Sequence, residues 1–410
     1  MNLPQIHFSA NPFMFQLVGH LLIGAFSCWI LLRKQPLPDA LFLIGLVTMT
    51  AVMRLPTFFF NHQLDPDESQ MLAQGLTLSI DPVVYRSVDP TTGGPLTSYL
   101  LAGLAKLGFT LDFQLAHILS WILTLAALII GYFTAKFLNL STTAQWAMLP
   151  FLSFISFVQS ADFVMFYSEI ISIIVLNITV LLLAYWQEER TISRGELLVF
   201  GLLLGIIPLC KLQALPMAFI VGMYACVQVS IFHSTDLIRR LLFLSLGFVI
   251  IWLAWGIFLA QNHVLTDFYT YYIKANLAYK DNFATSGVPR SKFVNFFRLP
   301  WVIIHKNSGF EWLLYPFMLL LVAAISQIIA KKQAKKSVQL NTHFWVMLVL
   351  FLLMTNLAIT RTGSFYEHYY NYLFLPFLLF FALCLHFLST KNDVHSTRFF
   401  YNVYSKNRAE

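Results

Sequence analysis

Long apolar stretches broken by short polar ones run through nearly the whole chain. A helix needs about 20 apolar residues to cross the hydrocarbon core of a bilayer. On that rule spans fall near 13–32, 39–60, 112–137, 143–160, 169–186, 196–210, 212–232, 241–260, 311–330, 342–360 and 370–388, eleven in all. The two that flank Lys211 are short and closely joined. The pattern predicts an all-α polytopic membrane protein with a single domain over 1–390 and a solvated tail over 391–410. Two long segments interrupt the rhythm, about 61–111 and 261–310. The first carries a helix-like pattern after Pro66, then the half-apolar stretch "PLTSYLLAGLAKLGF". In the second, "KFVNFFRLPWVIIHK" has basic ends and an aromatic face, the pattern of a helix lying in the interface plane.

Composition agrees: 58% of residues are hydrophobic, 11% are charged, and the mean hydropathy is +0.70. Soluble domains are about 25% charged, so this chain has too few charges to cover a globule in water. Basic residues set the orientation. With these spans one side carries 15 Lys and Arg against 7 acids and the other 11 against 12. The first side is therefore cytoplasmic, and both long segments face outward; in a bacterial source this means the inner membrane, with the working face on the periplasmic side. The net charge of +7 is dispersed between apolar spans, which excludes nucleic acid as a partner. Cys28, Cys210, Cys226 and Cys384 show neither metal-site nor disulfide spacing. No basic residue precedes the first apolar run, which is too long for a signal h-region and reads as a retained span.

Against this background "NHQLDPDESQMLAQGLTLSIDP" (61–82) stands out, with Asp65, Asp67, Glu68 and Asp81. A purely structural reading makes Asp65 an N-cap, Pro66 the first helical residue and Glu68 its capping-box partner. Asp67 is not needed for the cap. A carboxylate here lies just outside a span, which avoids the roughly 2.5–3.5 kcal/mol of placing an ionisable group within one. Asp65-x-Asp67, with His62 nearby, also looks like a metal motif. The proline fits a cap better, so no cofactor is required, while a divalent metal stays open.

Several further elements form a series along the chain: "RLPTFF" ending a span, "LDPDE", and "VDPTTGGPLTSYLLAGLAKLG"; later "SEIISIIVLNITVLLLAYW", "GLLLGIIPLCKLQALPMAF" and "RTGSFYEHYYNYLFLPFLLF". This order resembles the GT-C superfamily of membrane glycosyltransferases, most closely the branch of protein O-mannosyltransferases and the lipid A aminoarabinose transferase. The resemblance covers about residues 40–390. Ser69 and Gln70 stand where family members often have aromatics, Gly94-Pro95 where Pro-Pro is common, and the outer soluble domain of some relatives has no counterpart.

The resemblance implies transfer of a sugar from a polyprenyl-phosphate donor to a hydroxyl acceptor on the outer face, without metal in that branch. Asp67 would be the general base, with Glu68 orienting it or the acceptor, and Asp89 a second candidate. The family logic asks for cations at the leaving phosphate; Lys211, Arg361, His368 and Arg54 are the candidates. Glu169 would hold one of them, Tyr369 would support the site, and the cluster Tyr366, Tyr369 and Tyr370 also reads as an interface belt. A base and a leaving group on opposite faces of the sugar would invert the anomeric centre, by analogy with inverting glycosidases. Lys292 to Lys306 could close over the lipid tail, with Lys292, Arg298 and Lys306 toward phosphate. Two other classes compete: a transporter or flippase, expected to show mid-span ionisable residues and internal two-fold similarity, and a polysaccharide polymerase or ligase. The acid-poor span centres and the lack of internal repeats speak against the former.

Overall fold

Each apolar stretch forms a helix because, in lipid, only intra-segment bonding satisfies every backbone N–H and C=O. The computed structural model describes residues 12–33, 35–59, 65–282, 292–333, 342–361 and 363–389. His62, Lys34, Lys335, Lys336 and the expected tail lie outside the described residues. The chain begins with α1 (Pro12–Leu32) and α2 (Asp39–Phe59). The first long loop contributes α3 (Pro66–Ile80) and α4 (Pro95–Lys106), which pack on each other. There follow α5 (Phe113–Phe137), α6 (Ser141–Phe157), the single turn α7 (Ala161–Val164), α8 (Glu169–Glu189), α9 (Arg194–Cys210), α10 (Leu215–Phe232) and α11 (Leu237–Gln261). The second long loop holds α12 (Leu265–Asp267), a π-helical stretch Phe268–Lys274, α13 (Ala275–Asn282) and α14 (Lys292–Lys306). The described chain closes with α15 (Glu311–Gln333), α16 (Thr342–Thr360), the 3₁₀ stretch Glu367–Leu373 and α17 (Phe374–Ser389).

Among the described residues, eight helical segments are long and apolar enough to cross a membrane. Helices also occupy the other three expected spans, at α6, α9 and α15, the first two only 17 residues long. Among the described residues there is no strand, only an isolated bridge between Val84 and Val88. The core lies where α5, α6, α8 and α17 meet: 67% of the apolar window in Glu367–Ser389 is buried, against 6% in Ser234–Gln261, so α11 is peripheral. Yet α11 sits very close to α9. A Cβ at Gly201 would stand 2.0 Å from the Leu244 carbonyl oxygen, and one at Gly247 2.2 Å from that of Leu198. Small residues permit such close backbone approach where no aqueous hydrophobic force drives helices together.

The ends of α2, α6, α9 and α16 and the starts of α5, α8 and α10 alternate along the chain and meet at one end of the bundle, where α3, α4 and the 3₁₀ stretch also lie. Two of the tyrosines expected as an interface belt, Tyr369 and Tyr370, are packed instead, while Tyr366 is half-buried. Tyr370 is fully buried against Phe310 and donates to the Phe365 carbonyl at 3.3 Å, and Tyr369 is also buried. The 3₁₀ stretch turns them inward, giving their hydroxyls and rings protein partners rather than water and lipid.

Candidate functional site

The first turn of α3 decides what each acid of the "DPDE" loop does. Asp65 is the N-cap: Oδ1 accepts from the N–H of Asp67 (2.8 Å) and of Glu68 (3.1 Å), and Oδ2 accepts from the Tyr167 hydroxyl (3.0 Å). Glu68 departs from the capping box. Its side chain is fully buried, accepts from the Phe166 N–H at 2.8 Å, and lies 3.2 Å from His117 Nε2. His117 Nδ1 in turn lies 2.8 Å from the Thr57 carbonyl oxygen. Both Glu68 oxygens are therefore engaged in tying α3 to α5 and to the segment before α8. A buried carboxylate without such partners would be very costly, which is why Glu68 turns inward rather than back to the cap. It is not among the residues lining the cavity below, so the expected roles of capping the helix or orienting an acceptor give way to contacts with α5 and the segment before α8.

Asp67, the acid the cap leaves over, opens into a cavity of about 560 Å³. Lys211, Glu169, His368, Asp89 and Tyr369 line the same cavity. Lys211 sits in an extended break between α9 and the next 3₁₀ turn. It is buried, with Nζ 2.7 Å from Glu169 Oε1 and donating to Ser168 Oγ at 2.8 Å. An ammonium has three donors, so one remains for a ligand. His368 Nδ1 lies 2.7 Å from Asp162 Oδ1, which also accepts from the His368 N–H at 3.1 Å. Its Nε2 lies 4.0 Å from Glu169 Oε1. The imidazole is stacked between Tyr167, 4.3 Å away, and Tyr366, 5.5 Å away, both at 14°. Asp162 and the two rings fix the orientation of His368 and leave its far edge toward Glu169.

The α4 turn reaches this cluster through one close contact. Gly94 N–H donates to the Cys210 carbonyl at 3.0 Å, and a Cβ at Gly94 would stand 2.1 Å from that oxygen. Only glycine lets the loop sit against the residue before Lys211. Asp89 Oδ1 accepts from the Thr91 N–H at 2.8 Å, and Thr91 holds a φ of +53°, unusual for a β-branched residue. The Asp-Pro turn and the cavity-lining role thus coexist in Asp89.

The remaining expected residues lie elsewhere. Arg54 is buried in α2 and donates to the carbonyls of Val158 (3.1 Å) and Phe163 (3.5 Å). It lines neither this cavity nor the adjacent one; a guanidinium so enclosed takes up carbonyls in the α6–α7 connection rather than a ligand. Arg361 lines a second, mainly apolar cavity of about 480 Å³, also bounded by Leu215, Ile273, Leu277 and Leu357. The two cavities share Thr92, Lys211 and Tyr369. In α14, Phe293, Phe297 and Trp301 are exposed, the Arg298 guanidinium lies 5.5 Å from the Trp301 ring, and Lys306 donates to the Phe365 carbonyl at 2.7 Å. Neither Arg298 nor Lys306 lines either cavity.

Electrostatics separate the acids further. Partial burial in the cavity wall pushes the Asp67 carboxyl above its ordinary value; Asp65 adds to this, while His368 and Lys211 pull it back. Burial also pushes Asp162 up, but the hydrogen bonds and charge of His368 outweigh it and hold Asp162 below the usual carboxylate value. Burial raises the Tyr167 phenol, with Asp162 and Asp65 adding to it, so it stays neutral. Among the described residues no group of three or more His, Cys, Asp or Glu side chains is arranged to hold a metal ion.

Sequence reasoning missed Asp162, Tyr167 and His117. A lone acid in a short outward turn, seven residues before the Glu that opens α8, was the available signal for Asp162; a histidine within an otherwise apolar span was the signal for His117. Comparison with protein-family models, with characterised proteins and with solved structures gives no match to this chain.

Proposed function

We propose that this protein is a GT-C-like membrane glycosyltransferase, an eleven-span bundle that moves a sugar from a polyprenyl-phosphate donor to a hydroxyl acceptor at the outer face. The observation that carries the reading is the shared wall. A cavity holding Asp67, Lys211 and His368 meets a more apolar cavity at Thr92, Lys211 and Tyr369. A phosphate at that junction would place its isoprenoid tail among Leu215, Ile273 and Leu277 and its sugar toward Asp67.

In this reading the acceptor oxygen attacks the anomeric carbon and its proton passes to the Asp67 carboxylate. The bond from that carbon to the phosphate oxygen breaks, and the electron pair leaves with the phosphate. Lys211 and His368 stabilise the charge that grows there. Glu169 keeps Lys211 in place, and Asp162 does the same for His368. The raised pKa of Asp67 brings it closer to the range in which a carboxylate takes a proton efficiently. Attack from the side opposite the phosphate inverts the centre.

The test is transfer of labelled sugar from a panel of polyprenyl-phosphate donors by the full chain in native membranes, with Asp67→Asn beside it. Loss of transfer in the variant, at unchanged expression and melting temperature, is expected. Unchanged turnover removes Asp67 as the base. Donor flux across the membrane without any transfer supports the transporter class instead.

A further inference from the structure

Helix α4 starts at the cavity without a side-chain cap. Its N-cap is Gly94 and its first residue Pro95, so no side-chain oxygen answers the N–H groups of the first turn, and the helix runs for 12 residues behind them. Leu96 N–H falls where no helical carbonyl can reach it. The partial positive charge of an uncapped helix start favours an anion there.

A second, independent feature stands at the same place. Thr97 lines the cavity and is 1% exposed, and its hydroxyl has no hydrogen-bond partner. Buried hydroxyls rarely go unanswered. Eight threonines within helices of this chain return their hydroxyls to a carbonyl of the preceding turn: Thr50, Thr77, Thr134, Thr355 and Thr360 to the fourth residue back at 2.8–2.9 Å, and Thr57, Thr143 and Thr179 to the third at 2.6–3.2 Å. Thr97 makes neither bond, although Thr143, at the same third position of its helix, reaches its N-cap carbonyl at 3.2 Å. The neighbouring side chains are already committed to one another: Ser98 Oγ donates to Gln74 Oε1 at 2.8 Å, and Gln74 Nε2 donates to the Asp89 carbonyl at 3.1 Å. The acid nearest in sequence, Asp89, has one oxygen occupied by the Thr91 N–H. The contact from Gly94 to Cys210 brings this turn against Lys211, and Thr92, two residues before Gly94, borders both cavities.

We propose that the first turn of α4 is a phosphate site, in which the Thr97 hydroxyl and Leu96 N–H donate to phosphate oxygens and the free N–H of Lys211 supplies the charge. This deepens the transferase reading, on which that phosphate is the donor's leaving group. It also gives "GGPLT" a purpose: glycine for close approach, proline for an early helix start, threonine for the ligand.

The experiment measures dissociation constants of the full-length protein in detergent for a polyprenyl phosphate, the corresponding polyprenol and inorganic phosphate, for wild type, Thr97→Val and Thr97→Ser. Valine keeps the shape and removes the hydroxyl. Expected is a loss of about tenfold or more in polyprenyl-phosphate affinity for Thr97→Val, as for one hydrogen bond to a charged group, with polyprenol affinity unchanged and Thr97→Ser restored. If inorganic phosphate alone shows the same Thr97→Val loss, the site stands and its ligand is free phosphate. Equal affinities of wild type and Thr97→Val for both phosphates overturn the proposal, as does a parallel loss for polyprenol or a failure of serine to restore binding. Because binding needs no turnover, the two readings separate: hydroxyl-dependent phosphate binding with no sugar transfer keeps the site and removes the transferase, and transfer with unaltered affinity in Thr97→Val does the reverse.

Discussion

At the end of the bundle away from the cavity, Arg194, Arg239 and Arg240 gather around Asp236, and Lys136 pairs with Asp39. The side chains of Arg194 and Arg239 are 44% and 67% exposed. At the cavity end, Lys211 and Glu169 are 7% and 2% exposed, and His117 and Glu68 5% and 0%. The residue types are alike, but the energetics differ. Exposed pairs are screened by water and ions and contribute little. Buried pairs give up hydration that their mutual attraction need not recover, so their concentration at one end is not explained by stability. Of the buried pairs, Lys211–Glu169 lines the cavity while His117–Glu68 ties α3 to α5 behind it, so this end is the candidate site without reference to any relative.

The sharpest way to break this comparison is at Asp67, which belongs to the buried end yet is left free by the cap. Replacing it with Asn is expected to reduce transfer by about 10²- to 10⁴-fold, the usual range for a general base, at unchanged melting temperature. An effect on stability instead of rate would move Asp67 into the scaffold with Glu68.

Next comes Lys211→Met. Leaving Glu169 as an uncompensated buried charge should destabilise by about 3–5 kcal/mol, read as a lower melting temperature in detergent. A surviving fraction also reports on Asp67. Its carboxyl must be ionised to accept a proton, so the rate falls as pH drops through its raised pKa. Lys211 is one of the groups holding that pKa down, so the acidic limb of the pH–rate profile should move to higher pH in Lys211→Met. An unmoved limb would separate Lys211 electrically from the base.

A smaller effect is expected for Glu68→Gln. The amide can still accept from Phe166 N–H through its oxygen but loses the charge facing His117, which should cost about 1–3 kcal/mol. Sugar transfer per folded molecule should stay close to wild type. A rate loss on the scale of Asp67→Asn would return Glu68 to the catalytic set. Arg194→Ala, at the opposite end, should leave both melting temperature and activity unchanged.

Much of the architecture was legible because burial in lipid imposes a length and composition rule that each segment obeys by itself. The helices α3 and α4 were legible for a similar reason: in Asp65-Pro66 and Gly94-Pro95 a proline is followed by a helix-like apolar pattern, whereas Asp81-Pro82 and Asp89-Pro90 lack one and form turns. Within the site, Asp67, Asp89, Lys211, Glu169 and His368 were legible as charges out of place among apolar residues. Arg54 gave the same signal but lines neither cavity, because backbone carbonyls of Val158 and Phe163 attract a guanidinium as a phosphate would. Asp162 gave a weaker signal, since an acid in an outward turn is ordinary until a histidine some 200 residues later packs beside it.

The sequence by itself determined that the chain lives in a bilayer, where its helices run and which acid a helix cap leaves unused, since each follows from local bonding and hydration. Tertiary structure alone decided that Glu68 turns inward while Asp67 faces the cavity, that Asp162 orients His368, and that the α4 turn lies against the residue before Lys211. Those outcomes depend on which distant helix ends are brought together to satisfy buried polar groups, and no single segment contains that information.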